Sequence, residues 1–167
     1  MALGTIFLDG DRRGVRFERE LDATPEEIWR AVATPEGVAG WLARPVRWLL
    51  EPGEPWEIAF DDGSAHGLVV AVEPGRRVEL TWREAGDRES VLRIEVLEAP
   101  RGCRLVLVHT GLGPESATGF GAGWHAHLEA LERVATGRAA GEAAGWWERY
   151  RELRPEYERA AEALAAG

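Results

Sequence analysis

Phe120-Gly121-Ala122-Gly123-Trp124-His125-Ala126-His127-Leu128-Glu129-Ala130-Leu131-Glu132-Arg133-Val134-Ala135 is the stretch on which the fold class turns. Phe120, Trp124, Leu128, Leu131 and Ala135 recur at three or four residues and form one apolar stripe of an α-helix. Glu129, Glu132 and Arg133 fall on the opposite side. The helical pattern runs from Glu115 to about Val134, after a break at Gly111 to Pro114 and before a stop at Thr136-Gly137. A long helix that is apolar on one side must bury that side against another layer.

The layer lies upstream. Strand patterns occupy Val46 to Leu50, Pro55 to Phe60, Ser64 to Glu73, Arg77 to Arg83, Ser90 to Leu97 and Cys103 to Thr110. Pro52-Gly53, Asp61-Asp62-Gly63, Pro74-Gly75 and Pro100-Arg101-Gly102 supply the turns between most of them. Val78, Leu80 and Trp82 share one face. Arg104 to Val108 does not alternate strictly, which predicts a strand buried on both faces. Nearer the N-terminus, Thr5 to Leu8 and Val15 to Leu21 form a hairpin around Asp9-Gly10-Asp11. Thr24-Pro25-Glu26-Glu27 then opens a helix with an N-cap threonine, proline at the first helical position and a capping-box glutamate. Thr34-Pro35-Glu36 repeats the signal for a second short helix carrying Val38, Trp41 and Leu42, and Pro45 ends the helical region.

This order predicts an α+β helix-grip fold. A curved antiparallel sheet of six or seven strands wraps around the long helix, with two short helices after the first strands. Twist curls such a sheet, and one helix does not fill its concavity, so an enclosed, mostly apolar cavity is expected between them. A further helix from Gly145 to Leu164 carries Trp146, Trp147, Tyr150, Leu153 and Tyr157. Residues 1–140 are read as the helix-grip domain. Residues 141–167 are read as a helical extension, docked on the same domain or forming a homodimer through its aromatic side chains.

Composition narrows the function. The chain of 167 residues has a formal net charge of −9, and all of its 20 basic residues are arginine. That balance disfavours nucleic acid and anionic membranes and permits a small neutral or cationic ligand. Cys103 is the single cysteine, so no intrachain disulfide forms, and a reducing, cytoplasmic compartment is expected. The N-terminus does not read as a signal peptide, and no apolar run approaches the ~18 residues of a membrane span.

The segment Phe17-Glu18-Arg19-Glu20-Leu21-Asp22-Ala23-Thr24-Pro25-Glu26-Glu27-Ile28-Trp29-Arg30-Ala31 carries a family resemblance. Thr34-Pro35-Glu36, Gly40-Trp41-Leu42, Val72-Glu73-Pro74-Gly75, Leu80-Thr81-Trp82, His109-Thr110-Gly111-Leu112 and Gly123-Trp124-His125-Ala126-His127-Leu128 continue it in order. Over residues 5 to 136 the chain resembles the START/Bet v-like (SRPBCC) superfamily. Within it, the chain is similar to the branch related to the C-terminal domain of activators of the heat-shock protein 90 ATPase. The resemblance implies a helix-grip fold with a hydrophobic cavity, but no single activity.

No catalytic constellation stands out. His125 and His127 point about 200° apart on one helix and do not share a metal. His-Glu-x-x-His and Cys-x-x-Cys are absent, so no metal or cofactor is expected. Cys103 lacks a neighbouring base and reads as a small buried apolar group. Trp41, Trp82 and Trp124 are the expected cavity walls, Phe120 lines the cavity beside them, and His66 and His127 are the expected polar contacts to a ligand. Binding of a small apolar molecule is the leading function. A cyclase or hydrolase in the same cavity, using for example His66 with Asp61 or Glu79, is the first rival. A chaperone-assisting interaction module is the second.

Overall fold

In the computed structural model, which describes residues 2–137 and 145–167, strand β1 (Thr5–Asp9) turns into β2 (Arg12–Leu21). Two short helices follow, α1 (Pro25–Ala33) and α2 (Pro35–Ala39). Strands β3 (Arg44–Arg47), β4 (Pro55–Phe60), β5 (Gly63–Glu73), β6 (Arg77–Glu84), β7 (Ser90–Glu98) and β8 (Cys103–Leu112) lead to helix α3 (Pro114–Ala135). After the undescribed residues, α4 spans Trp146–Ala166. The expected boundary between residues 140 and 141 lies outside the described residues.

The strands form one curved antiparallel sheet of eight, in the order β1-β2-β8-β7-β6-β5-β4-β3. That is more than the six or seven expected. The outermost strand β3 starts two residues earlier than its predicted span and holds Pro45 inside it. An edge strand tolerates a residue with no N–H, so Pro45 joins the sheet instead of only ending the helices. Trp48 leaves the strand and turns inward, donating from Nε1 to the Val32 carbonyl at 3.0 Å.

The capping box of α1 is complete. Thr24 N–H donates to Glu27 Oε2 at 2.8 Å, and Glu27 N–H donates to Thr24 Oγ1 at 3.1 Å. On β8, Cys103, Leu105, Leu107 and His109 face inward and are buried, whereas Arg104 on the other face is exposed. Two-faced burial is therefore confined to Val106.

Helix α3 is covered on both sides. Trp124, Leu128 and Leu131 are buried in the core. The side bearing Glu129 packs against α4, which also touches β1. Close approach is possible because Gly121 has no side chain: a Cβ there would lie 2.5 Å from Tyr157 Cδ1. Leu153 and Tyr157 anchor α4 in the core. The Tyr157 hydroxyl accepts from Gly4 N–H at 2.8 Å and shares a 2.8 Å hydrogen bond with His125 Nδ1. Glu129 is not a solvated residue of a free face. It receives two 2.9 Å bonds from the Arg149 guanidinium, which fixes the start of α4.

Candidate functional site

A cleft of about 920 Å³ lies between the concave face of the sheet, the chain after α2 and helix α3. The volume falls within the range usual for small-molecule sites. The cleft opens to solvent on one side, so the enclosed cavity expected from the fold is corrected. An eight-stranded sheet curls further than one helix covers. A smaller void of about 190 Å³ adjoins it behind Trp82 and Phe120 and is too small for more than a fragment.

Five of the expected residues, Trp41, Trp82, Phe120, Trp124 and His127, line the large cleft. Trp82 and Trp124 meet edge to face with centroids 5.4 Å apart, and the Trp124 and His127 rings lie 5.8 Å apart. These contacts build one continuous aromatic wall from β6 to α3. His66 is not part of it. Strand alternation places Ala65 inward and His66 on the exposed outer face, paired in register with Glu57 and Arg83. Glu79 shares that outward parity on β6, opposite to Val78 and Leu80. The His66–Glu79 pair considered for catalysis thus lies outside the cleft.

Two of the three indole N–H groups of the wall are taken up within the protein. Trp41 Nε1 donates to the Ala31 carbonyl at 2.9 Å, and Trp124 Nε1 donates to His109 Nδ1 at 3.0 Å. Trp82 Nε1 is buried and completes no hydrogen bond. Its neighbour Glu84 also lines the cleft. Burial is the main force that raises the Glu84 carboxyl above its ordinary range. The nearby Trp82 indole opposes this without closing a hydrogen bond, and Asp87 and Asp62 add to it.

His109 and Ser90 look like a base and a nucleophile, with His109 Nε2 and Ser90 Oγ at 2.7 Å. The wiring runs the other way. Trp124 donates to Nδ1, so the ring proton sits on Nε2 and is directed at Ser90. Ser90 Oγ then donates to the Trp82 carbonyl at 3.1 Å. Burial holds His109 at about 3, far below its ordinary value, so the ring stays neutral. The chain of bonds holds the Trp124 indole and the Trp82 backbone and gives Ser90 no base.

His127 is similarly fixed. Its Nδ1 donates to the Trp41 carbonyl at 3.1 Å, which leaves Nε2 as an acceptor. Burial lowers its pKa to about 4, with the Trp41 bond opposing. His125, on the other side of α3, faces Tyr157 and Glu129 instead. Burial raises the Cys103 thiol, first of all causes, which keeps it protonated. Among the described residues no group of three histidine, cysteine or acidic side chains is arranged to hold a metal ion. Among them, too, no helix is long and apolar enough to cross a membrane.

Sequence reasoning missed a whole wall. Trp146, Trp147, Tyr150 and Arg154 of α4 line the cleft opposite the sheet. Trp146 stacks on Tyr150 with centroids 5.1 Å apart and planes 16° apart, and it lies 5.0 Å from His127. The aromatic density of the tail was the available signal, but periodicity alone does not say which surface those rings meet.

The fold and the aromatic cleft define a helix-grip protein of the SRPBCC superfamily. The sequence pattern of the family described as "Activator of Hsp90 ATPase homolog 1-like protein" matches residues 22–136, and the chain belongs to that family. A solved protein of Bordetella parapertussis, encoded by BPP1335, is 30% identical with a TM-score of 0.69, over 90% of this chain and 86% of that one. MLL2253 from Mesorhizobium loti is 28% identical with a TM-score of 0.71, over 76% of this chain and 99% of that one. CalU16 from Micromonospora echinospora shares the fold at 21% identity and a TM-score of 0.76, over 95% of both chains. No match was found among curated proteins.

Proposed function

We propose that the protein binds a small, largely apolar molecule in the cleft. The observation that carries this reading is the continuous aromatic wall of Trp82, Trp124 and His127 facing a space of about 920 Å³. Rings of this size give wide contact area at low conformational cost. His127 lines the cleft, and its neutral ring keeps Nε2 as one acceptor to orient a ligand. The reversed Ser90–His109 wiring favours binding over acyl-transfer chemistry. Leu153 and Tyr157 of α4 are buried within the chain, which favours a role for the tail in the cleft rather than in a homodimer. Family membership supports a second reading, a protein-interaction module.

Nile red, an uncharged environment-sensitive dye, separates the two readings. It should bind saturably and quench or shift tryptophan emission. Replacing Trp82 or Trp124 by leucine should alter that response more than replacing Trp29, which lies on α1 and does not line the cleft. A protein that does not bind the dye, or three variants that respond alike, leaves the interaction-module reading in front.

A further inference from the structure

We infer that the cleft selects an organic cation: a molecule with an aromatic or alicyclic body and one protonated amine. This rests on the ligand-binding reading and specifies its charge. Asp61 and Asp62 in the β4–β5 turn, Glu84 at the end of β6, Asp87 in the β6–β7 turn and Glu115 in the first turn of α3 all line the cleft.

Among the described residues, none of these carboxylates forms an ion pair, although arginine–carboxylate pairs such as Arg16–Glu18, Arg47–Glu54, Arg93–Glu95 and Arg149–Glu129 recur elsewhere. Five carboxylates thus outnumber the two arginines of the cleft lining; Arg12 and Arg88 line the adjoining void with Glu84 and Asp87, and Arg12 is held by the Gly111 carbonyl. Arg44 and Arg154 are the basic residues that line the cleft, and Arg154 is already held by Glu158 and the Tyr150 hydroxyl. Burial is the first cause that raises the Glu84 carboxyl, and the neighbouring Asp87 and Asp62 add to it.

Grouped acids with low-dielectric walls concentrate a negative potential, which attracts cations and repels carboxylates and phosphates. The aromatic wall adds to the same preference, because the faces of Trp and Tyr rings attract a cation. The N-terminus of α3 works in the opposite direction, but Glu115 sits in its first turn and offsets it. An amine placed near Glu84 leaves the rest of the molecule against Trp82, Phe120 and Trp124.

The test is a matched set of probes: 2-naphthylmethylammonium, 2-naphthylmethanol and 2-naphthoate, titrated calorimetrically into the full chain at low ionic strength. The ammonium should bind about tenfold or more tightly than the carboxylate, the scale of one good charge contact, with the alcohol between them. Added salt should narrow the gap. Glu84→Gln combined with Asp87→Asn should shrink the ammonium-over-carboxylate preference severalfold. If that variant fails to fold, the three probes on the unaltered protein still decide. A carboxylate that binds as well as the ammonium overturns the charge inference, while alcohol binding keeps the ligand reading intact. If none of the three binds, both fall.

Discussion

His109 is fully buried, and its two ring nitrogens are committed to Trp124 and Ser90. Removing the ring would strand the Trp124 N–H inside the core and deprive Ser90 of a donor. An orphaned buried polar group costs about 1–3 kcal/mol. His109→Leu should therefore lower stability by about that amount, read as a lower urea midpoint, and should loosen the orientation of Trp124, read as a changed near-ultraviolet circular dichroism. An unchanged midpoint would show that the bond chain contributes nothing. The chemistry here was only partly legible beforehand. Trp124 as a wall residue followed from the helical stripe. Its hydrogen bond to His109 did not, because a strand and a helix 15 residues apart meet only through the tertiary fold.

At the scale of elements, the contact between α3 and α4 depends on small residues at particular positions. A Cβ on Gly121 would lie 2.5 Å from Tyr157 Cδ1, whereas a Cβ on Gly123 would lie 3.6 Å from Trp146 Cζ2, an ordinary contact. Gly121→Ala should push α4 outward and cost about 1–3 kcal/mol, the usual range for overpacking. Gly123→Ala should be neutral or stabilising by up to about 1 kcal/mol, because alanine is the better helix former. Equal urea midpoints for the two variants would sink this account of the interface. The elements themselves were largely visible in the sequence, since Thr24-Pro25-Glu26-Glu27 and Asp61-Asp62-Gly63 carry their own local signals. Strand β3 was misplaced because an edge position, not local preference, admits Pro45. The partner of Glu129 was not legible for a related reason: its charge is met by Arg149 from a helix 20 residues on, and a stripe pattern does not record that partner.

For the molecule as a whole, three buried histidines set the acid limit. Burial is the first cause in each case, taking His109 from 6.5 to about 3 and His125 and His127 from 6.5 to about 4. The unfolded chain takes up these protons near pH 6.5 and the folded chain refuses them. Their contribution to stability is therefore complete above about pH 6.5 and is lost as the pH falls toward about 4, with His109 continuing to about 3. Each adds up to about 1.4 kcal/mol per pH unit within its window. Urea midpoints should fall steadily between about pH 7 and pH 5, and less steeply in a His127→Phe variant; a flat profile would contradict the burial of the rings.

The division of labour within α4 reaches further than stability. Leu153 and Tyr157 anchor the helix, while Trp146, Trp147, Tyr150 and Arg154 face the cleft. The family pattern stops at residue 136, before any of them. Anchors and lining residues are different positions, although Trp146 and Tyr150 also pack against the core. On the ligand-binding reading proposed above, relatives that keep the same grip would diverge in what they accept where this peripheral helix differs. A swap of the four lining residues between two such relatives should carry ligand preference with it.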